Sequence, residues 1–126
     1  MSLKRILVLG DAGVGKTQFI NKRIGKLFER RYIPTLCGIT EYKSGDTVYY
    51  DYPGQEVYSQ HVISEPIDQV IYLYDMTSRM SFRNLVKWQQ LVSEKYGQVE
   101  DSVVIGTKCD LSDRVKVWAE ECVSNK

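Results

Sequence analysis

Gly10-Asp11-Ala12-Gly13-Val14-Gly15-Lys16-Thr17 decides the fold of this chain. The stretch matches G-x-x-x-x-G-K-[ST] at every position, and its neighbours are those the pattern requires. Before it, Leu3–Leu9 (LKRILVL) is a short apolar run ending at a glycine, which reads as a buried parallel strand. After it, Phe19, Ile20, Ile24 and Leu27 recur at helical spacing, so residues 17–26 read as a helix. Glycines at such a strand-to-helix turn let backbone N–H groups curl around phosphate oxygens, and the helix N-terminus adds its dipole. Lys16 can reach the outer phosphates, and the Thr17 hydroxyl is suited to Mg²⁺. A plain glycine-rich turn with a surface lysine would not need this context. The loop calls for a nucleoside triphosphate but does not say which base.

Outward from the loop, residues 27–36 are charged and end in Tyr32-Ile33-Pro34-Thr35. They read as a loop, because proline forbids a continuing helix. Residues 38–43 and 47–51 alternate around Ser44-Gly45-Asp46, the signature of a hairpin. Val70–Tyr74 (VIYLY) and Val103–Gly106 (VVIG) are two further buried strands. Between them, Ser81–Tyr96 is an amphipathic helix through Phe82, Leu85, Val86, Trp88, Gln89 and Val92, with Ser81 as its cap and Gly97 as its stop. Val115–Trp118 reads either as a strand or as the first turn of a short helix. The order predicts a single α/β domain over residues 1–126 with a mostly parallel sheet.

The 126 residues carry 17 Lys+Arg against 16 Asp+Glu, a net charge of +1. That balance gives no general electrostatic case for nucleic acid or an anionic membrane. No apolar run approaches the roughly 18 residues of a membrane span. Cys37, Cys109, Cys122 and the lone His61 follow no structural zinc spacing, and read as reduced thiols and a histidine of a soluble cytoplasmic or nuclear protein. Val123 stands where a prenylated cysteine would be and Ser2 where a myristoylated glycine would be, so no lipid anchor is expected.

Base identity comes from Thr107-Lys108-Cys109-Asp110, which follows the third buried strand at the carboxyl edge of the sheet. An Asp110 carboxylate accepting from N1–H and N2–H₂ of guanine rejects adenine. Lys108 can lay its aliphatic stem on the base. Asp51-Tyr52-Pro53-Gly54-Gln55-Glu56 follows the hairpin. There Asp51 can hold Mg²⁺ through a water, Gly54 can offer its N–H to a γ-phosphate, and Gln55 can orient an attacking water. Taken in isolation, that stretch is an ordinary turn and Thr35 an ordinary loop threonine.

In that order, G-D-A-G-V-G-K-T, Y-I-P-T, D-Y-P-G-Q-E and T-K-C-D resemble the motifs of the Ras superfamily of small GTPases, over nearly the whole chain. G-K-L-F-E-R-R-Y-I-P-T-L-C-G-I-T and D-M-T-S-R-M-S-F-R-N-L-V-K-W are most similar to Ran and then Rab members, and V-I-G-T-K-C-D-L-S-D to the Rho branch. The resemblance implies a P-loop G domain, a doubly wound and mostly parallel sheet with one antiparallel hairpin strand, binding GTP and GDP with Mg²⁺. It implies nucleotide contacts from Asp11, Ala12, Gly13, Val14, Gly15, Lys16, Thr17, Gln18, Phe28, Thr35, Gly54, Thr107, Lys108 and Asp110. Thr17, Thr35 and Asp51 would hold the metal. Gln55, Lys16 and Gly54 would carry catalysis, and exchange factors, GTPase-activating proteins and effectors would be the partners.

The chain departs from this pattern in two places. Tyr52-Pro53 replaces the commoner Thr-Ala, and Pro53 stiffens a segment that moves in the family. The resemblance also implies a further strand, an S-A-K loop and a final helix after T-K-C-D, where only residues 111–126 follow. Val115–Glu121 stands as the expected last strand. Ser124-Asn125-Lys126 is either a shifted base-binding loop or a polar tail. With the final helix lacking, apolar surface is expected beside Leu3–Leu9, to be covered by a second copy of the chain or by a partner. The leading expectation is a slow GTPase switch. The alternatives are a non-hydrolysing module that captures the partners of a full-length relative, or an adenine-nucleotide P-loop enzyme.

Overall fold

The computed structural model describes residues 3–11, 13–25, 29–32, 39–52, 63, 66–108 and 122–123, with the strands at 29–32 and 122–123 described by their backbone. Seven strands form one sheet: β1 (Lys4–Leu9), β2 (Glu29–Tyr32), β3 (Thr40–Ser44), β4 (Thr47–Asp51), β5 (Gln69–Asp75), β6 (Ser102–Thr107) and β7 (Cys122–Val123). Three helices accompany them: α1 (Lys16–Ile24), α2 (Arg79–Arg83) and α3 (Leu85–Tyr96). The strand order is β2-β3-β4-β1-β5-β6-β7. β3 is antiparallel to both its neighbours and every other pairing is parallel, so β3 alone runs against the rest.

Alternation along the central strands divides the core in two. Ile6 and Val8 of β1, with Ile71 and Leu73 of β5, pack with Val14, Phe19 and Ile20 of the glycine loop and α1. Leu7 and Leu9, with Val70, Tyr72 and Tyr74, pack with Leu85, Trp88, Leu91 and Val92 of α3. A strand buried on both faces needs apolar residues at consecutive positions, which is why LKRILVL reads as a run. Between β3 and β4, Gly45 takes φ 61°, the conformation a two-residue turn demands at its first central position. The turn is fastened to β1 where the Lys4 N–H donates to the Asp46 carbonyl at 2.7 Å.

Four sequence expectations change. The charged stretch expected to be a loop contains β2, paired to β3 from Glu29↔Lys43 to Tyr32↔Thr40, its strand identity set by backbone pairing rather than by apolar alternation. The helix expected from Ser81 starts earlier and breaks: Ser78 is the cap, its hydroxyl accepting from the Ser81 N–H, and α2 gives way to α3 at Asn84. A last strand occurs at Cys122–Val123, just after the stretch expected to supply it, while 115–121 lie outside the described residues. Among the described residues the apolar side chains of β1 are themselves sealed, Ile6 at 2% and Leu7, Val8 and Leu9 at 0% exposure, so the apolar surface expected beside that strand is not exposed on the strand itself. The large apolar side chains exposed among the described residues are Met80, Phe82, Val86 and Val104, on α2, α3 and β6. No helix among these residues is long and apolar enough to cross a membrane.

Candidate functional site

The carboxyl ends of β1, β4, β5 and β6 converge where the glycine loop leaves β1. Gly10 ends the strand against β5, so closely that a Cβ on it would sit 2.4 Å from the Leu73 carbonyl oxygen. Gly13 (φ 83°) and Gly15 (φ 96°) then turn the chain through left-handed conformations into α1. No side chain caps α1, and its N-terminus opens directly from this loop. At the other end, Lys22 and Arg23 complement the helix dipole.

Lys16 is buried at 7% exposure, and its ammonium donates to the carbonyls of Gly10 (2.9 Å) and Asp11 (3.0 Å). Burial lowers its pKa, and the charges of Asp51 and Asp11 act against that shift. The Thr17 hydroxyl donates to Asp51 Oδ2 at 2.7 Å, joining the start of α1 to the end of β4. Burial raises the Asp51 carboxyl, opposed by the Thr17 hydrogen bond and the Lys16 charge. A hydroxyl and a carboxylate brought together in this way are oxygen donors suited to a hard divalent cation.

The T-K-C-D stretch meets the loop through its first two residues. Thr107 is fully buried, and its hydroxyl faces two carbonyls, Val14 at 2.7 Å and Tyr74 at 3.1 Å; with one proton it donates to one at a time. Lys108 has φ 64°, the one positive φ among the described non-glycine residues. Its ammonium donates to the Gly13 carbonyl (3.1 Å) and to Asp75 Oδ2 (3.0 Å). The other Asp75 oxygen accepts from the Thr77 N–H (2.8 Å) and hydroxyl (2.5 Å). Burial would raise the Asp75 carboxyl, but the Thr77 and Lys108 hydrogen bonds outweigh it and hold the group below its usual range.

Asp11, Gly13, Val14, Gly15, Lys16, Thr17, Asp51, Thr107 and Lys108 are thus gathered at one edge of the sheet, with Gln18 exposed on α1. Ala12, Phe28, Thr35, Gly54, Gln55, Asp110, Ser124, Asn125 and Lys126 lie outside the described residues. Asp11 differs from the others: its carboxylate is turned to α3, accepting from Asn84 Nδ2 at 2.6 Å and Trp88 Nε1 at 3.1 Å. Reading the motifs missed Asp75, Asn84 and Trp88. The only signal for the last two was their spacing of four on a helix, which puts them on one face.

Sheet order, glycine loop and clustered polar groups define an α/β domain of the P-loop kind. The sequence profile of the Ras family matches residues 5–125, and the chain belongs to that family, within the small-GTPase superfamily. It is similar to Ras-related protein Rab-13 of Canis lupus familiaris, 29% identical across 96% of this chain and 64% of that protein. It is 31% identical to Ras-related protein Rab-10 of Caenorhabditis elegans across 94% and 63%. It is 28% identical to GTP-binding nuclear protein GSP1 of Encephalitozoon cuniculi across 90% and 58%. The chain therefore spans just under two-thirds of the length of these curated relatives.

Proposed function

We propose that the chain is a guanine-nucleotide switch that holds GTP or GDP with Mg²⁺ and hydrolyses GTP slowly to GDP and phosphate. The observation that carries this reading is the Lys108 ammonium on the Gly13 carbonyl. It supports reading the T-K-C-D stretch and the glycine loop as parts of one site. Lys16 supplies positive charge to the outer phosphates, and the loop N–H groups from Gly13 to Thr17 donate to phosphate oxygens. Thr17 and Asp51, with Thr35, are the oxygen donors for the metal, which when bound neutralises charge on the phosphates. Asp110 accepts from the guanine edge, Phe28 packs against the base, and Ser124-Asn125-Lys126 offers backbone N–H groups to O6. Gly54 donates to the γ-phosphate and Gln55 orients water. An exchange factor and a GTPase-activating protein set the switch, the latter by supplying an arginine in trans for fast hydrolysis. The likeness to GSP1, by name a GTP-binding nuclear protein, supports a nuclear site of action.

The test is to denature the purified protein and identify by chromatography the nucleotide it releases. GDP or GTP supports the reading; an adenine nucleotide, or no nucleotide even after incubation with GDP, overturns it. Asp110→Ala is expected to abolish GDP binding. A non-hydrolysing module is the second reading, favoured by one observation: the Tyr52 and Tyr96 hydroxyls are hydrogen-bonded, and Tyr96 also accepts from the Ile63 N–H at 3.1 Å. Single-turnover hydrolysis that Gln55→Leu abolishes selects the switch. No turnover in either protein selects the module.

A further inference from the structure

A loop that binds a polyanion carries a carboxylate of its own at Asp11. That carboxylate is not spent on the loop: Asn84, the residue that caps α3, and Trp88, one turn into that helix, donate to its two oxygens at 2.6 and 3.1 Å. Both donors are neutral N–H groups, and Trp88 is buried at 2% exposure, so its indole N–H has this carboxylate in place of water. The Asp11 backbone meanwhile faces the other way, its carbonyl accepting from the Lys16 ammonium at 3.0 Å. One residue therefore presents its carbonyl to the phosphate-binding lysine and its charge to α3. The Asp11 charge already acts on Lys16 from its place against α3. Freed of Asn84 and Trp88, the carboxylate would be able to turn to the same ammonium, and there it would compete with phosphate for Lys16 and repel the phosphate itself.

We propose that Asn84 and Trp88 are positioning residues for nucleotide binding, and that they act by holding the Asp11 carboxylate on α3 and away from the phosphate side of the loop. The inference rests on the guanine-nucleotide reading above. It assigns α3 a part in nucleotide affinity that its distance along the chain from the loop conceals. It also makes the fault caused by losing either donor electrostatic rather than one of packing.

The test is a set of GDP affinities by titration calorimetry, with thermal unfolding of each protein alongside. Asn84→Ala is expected to weaken GDP binding about tenfold, about 1.4 kcal/mol. The double variant Asp11→Ala/Asn84→Ala is expected to bind GDP more tightly than Asn84→Ala alone, because the released charge is gone. Trp88→Phe, which keeps the aromatic bulk, is expected to give the same pair of results and carries the test if Asn84→Ala does not fold. Rescue by Asp11→Ala is the result a purely structural role for the two donors would not give. Equal or weaker binding by the double variant overturns the proposal, as does unchanged affinity in both single α3 variants. GDP binding by the wild type is read separately: its absence fails the nucleotide reading itself, and this inference with it.

Discussion

Asp75 shows how much of the site is made by single hydrogen bonds. It joins β5 to Lys108, and Lys108 in turn holds the Gly13 carbonyl. Because its carboxyl is held below the usual range in the folded chain, its charge stabilises the fold at neutral pH. That contribution is complete above the ordinary carboxylate pKa of about 4 and is lost as pH falls through the lower folded value. Asp75→Asn is therefore expected to cost about 1–3 kcal/mol at pH 7. In urea unfolding, the gap between the two proteins should narrow as the pH is lowered from 5 toward 2. A gap constant over that range would show that the charge of Asp75 is not what stabilises. Nothing in the sequence around Asp75 marks this role, because its partner Lys108 is brought to it only by the β5–β6 pairing.

At the scale of elements, the junction of α2 and α3 separates what pattern reveals from what it hides. Helical spacing and the Gly97 stop locate α3, and Gly97 takes φ 73° as a helix-ending glycine does. The start was misplaced because two serines three residues apart both satisfy the capping rule. Ser78 caps, whereas Ser81 faces inward at 4% exposure, its hydroxyl accepting from the Asp75 N–H at 2.9 Å and facing the Asp75 and Ser78 carbonyls. Which serine turns inward depends on β5, which local sequence does not describe. Ser81→Ala leaves the partly buried Asp75 N–H without this acceptor and is expected to cost about 1–3 kcal/mol. Ser78→Ala, which loses only a cap, should cost about 1 kcal/mol. Thermal unfolding of the two variants checks the order. β2 was hidden for a similar reason: Glu29-Arg30-Arg31-Tyr32 has no apolar period, and an edge strand needs none.

Across the whole molecule, the glycine loop is legible in sequence because its chemistry is local, while the shell that holds it is not. Asp11 meets Asn84 and Trp88 across 73 and 77 positions of chain. The loop also depends on how closely β1 approaches β5 at Gly10. Gly10→Ala places a methyl 2.4 Å from the Leu73 carbonyl oxygen, a backbone atom that cannot turn aside. We expect a loss of about 1–3 kcal/mol or more in urea denaturation; unchanged stability would mean that the two strands separate freely. Tyr96 has a different kind of reach. Tyr52 and Ile63 both bond to its hydroxyl, so the two ends of the ten-residue interval 53–62 are tied at one knot on α3. Bringing together the ends of a span of about ten residues costs roughly 2 kcal/mol of chain entropy. Here that cost is met within the protein's own fold, before any ligand arrives. Tyr96→Phe unties the knot, and hydrogen exchange should find the Ile63 amide less protected while the β5 amides keep their protection.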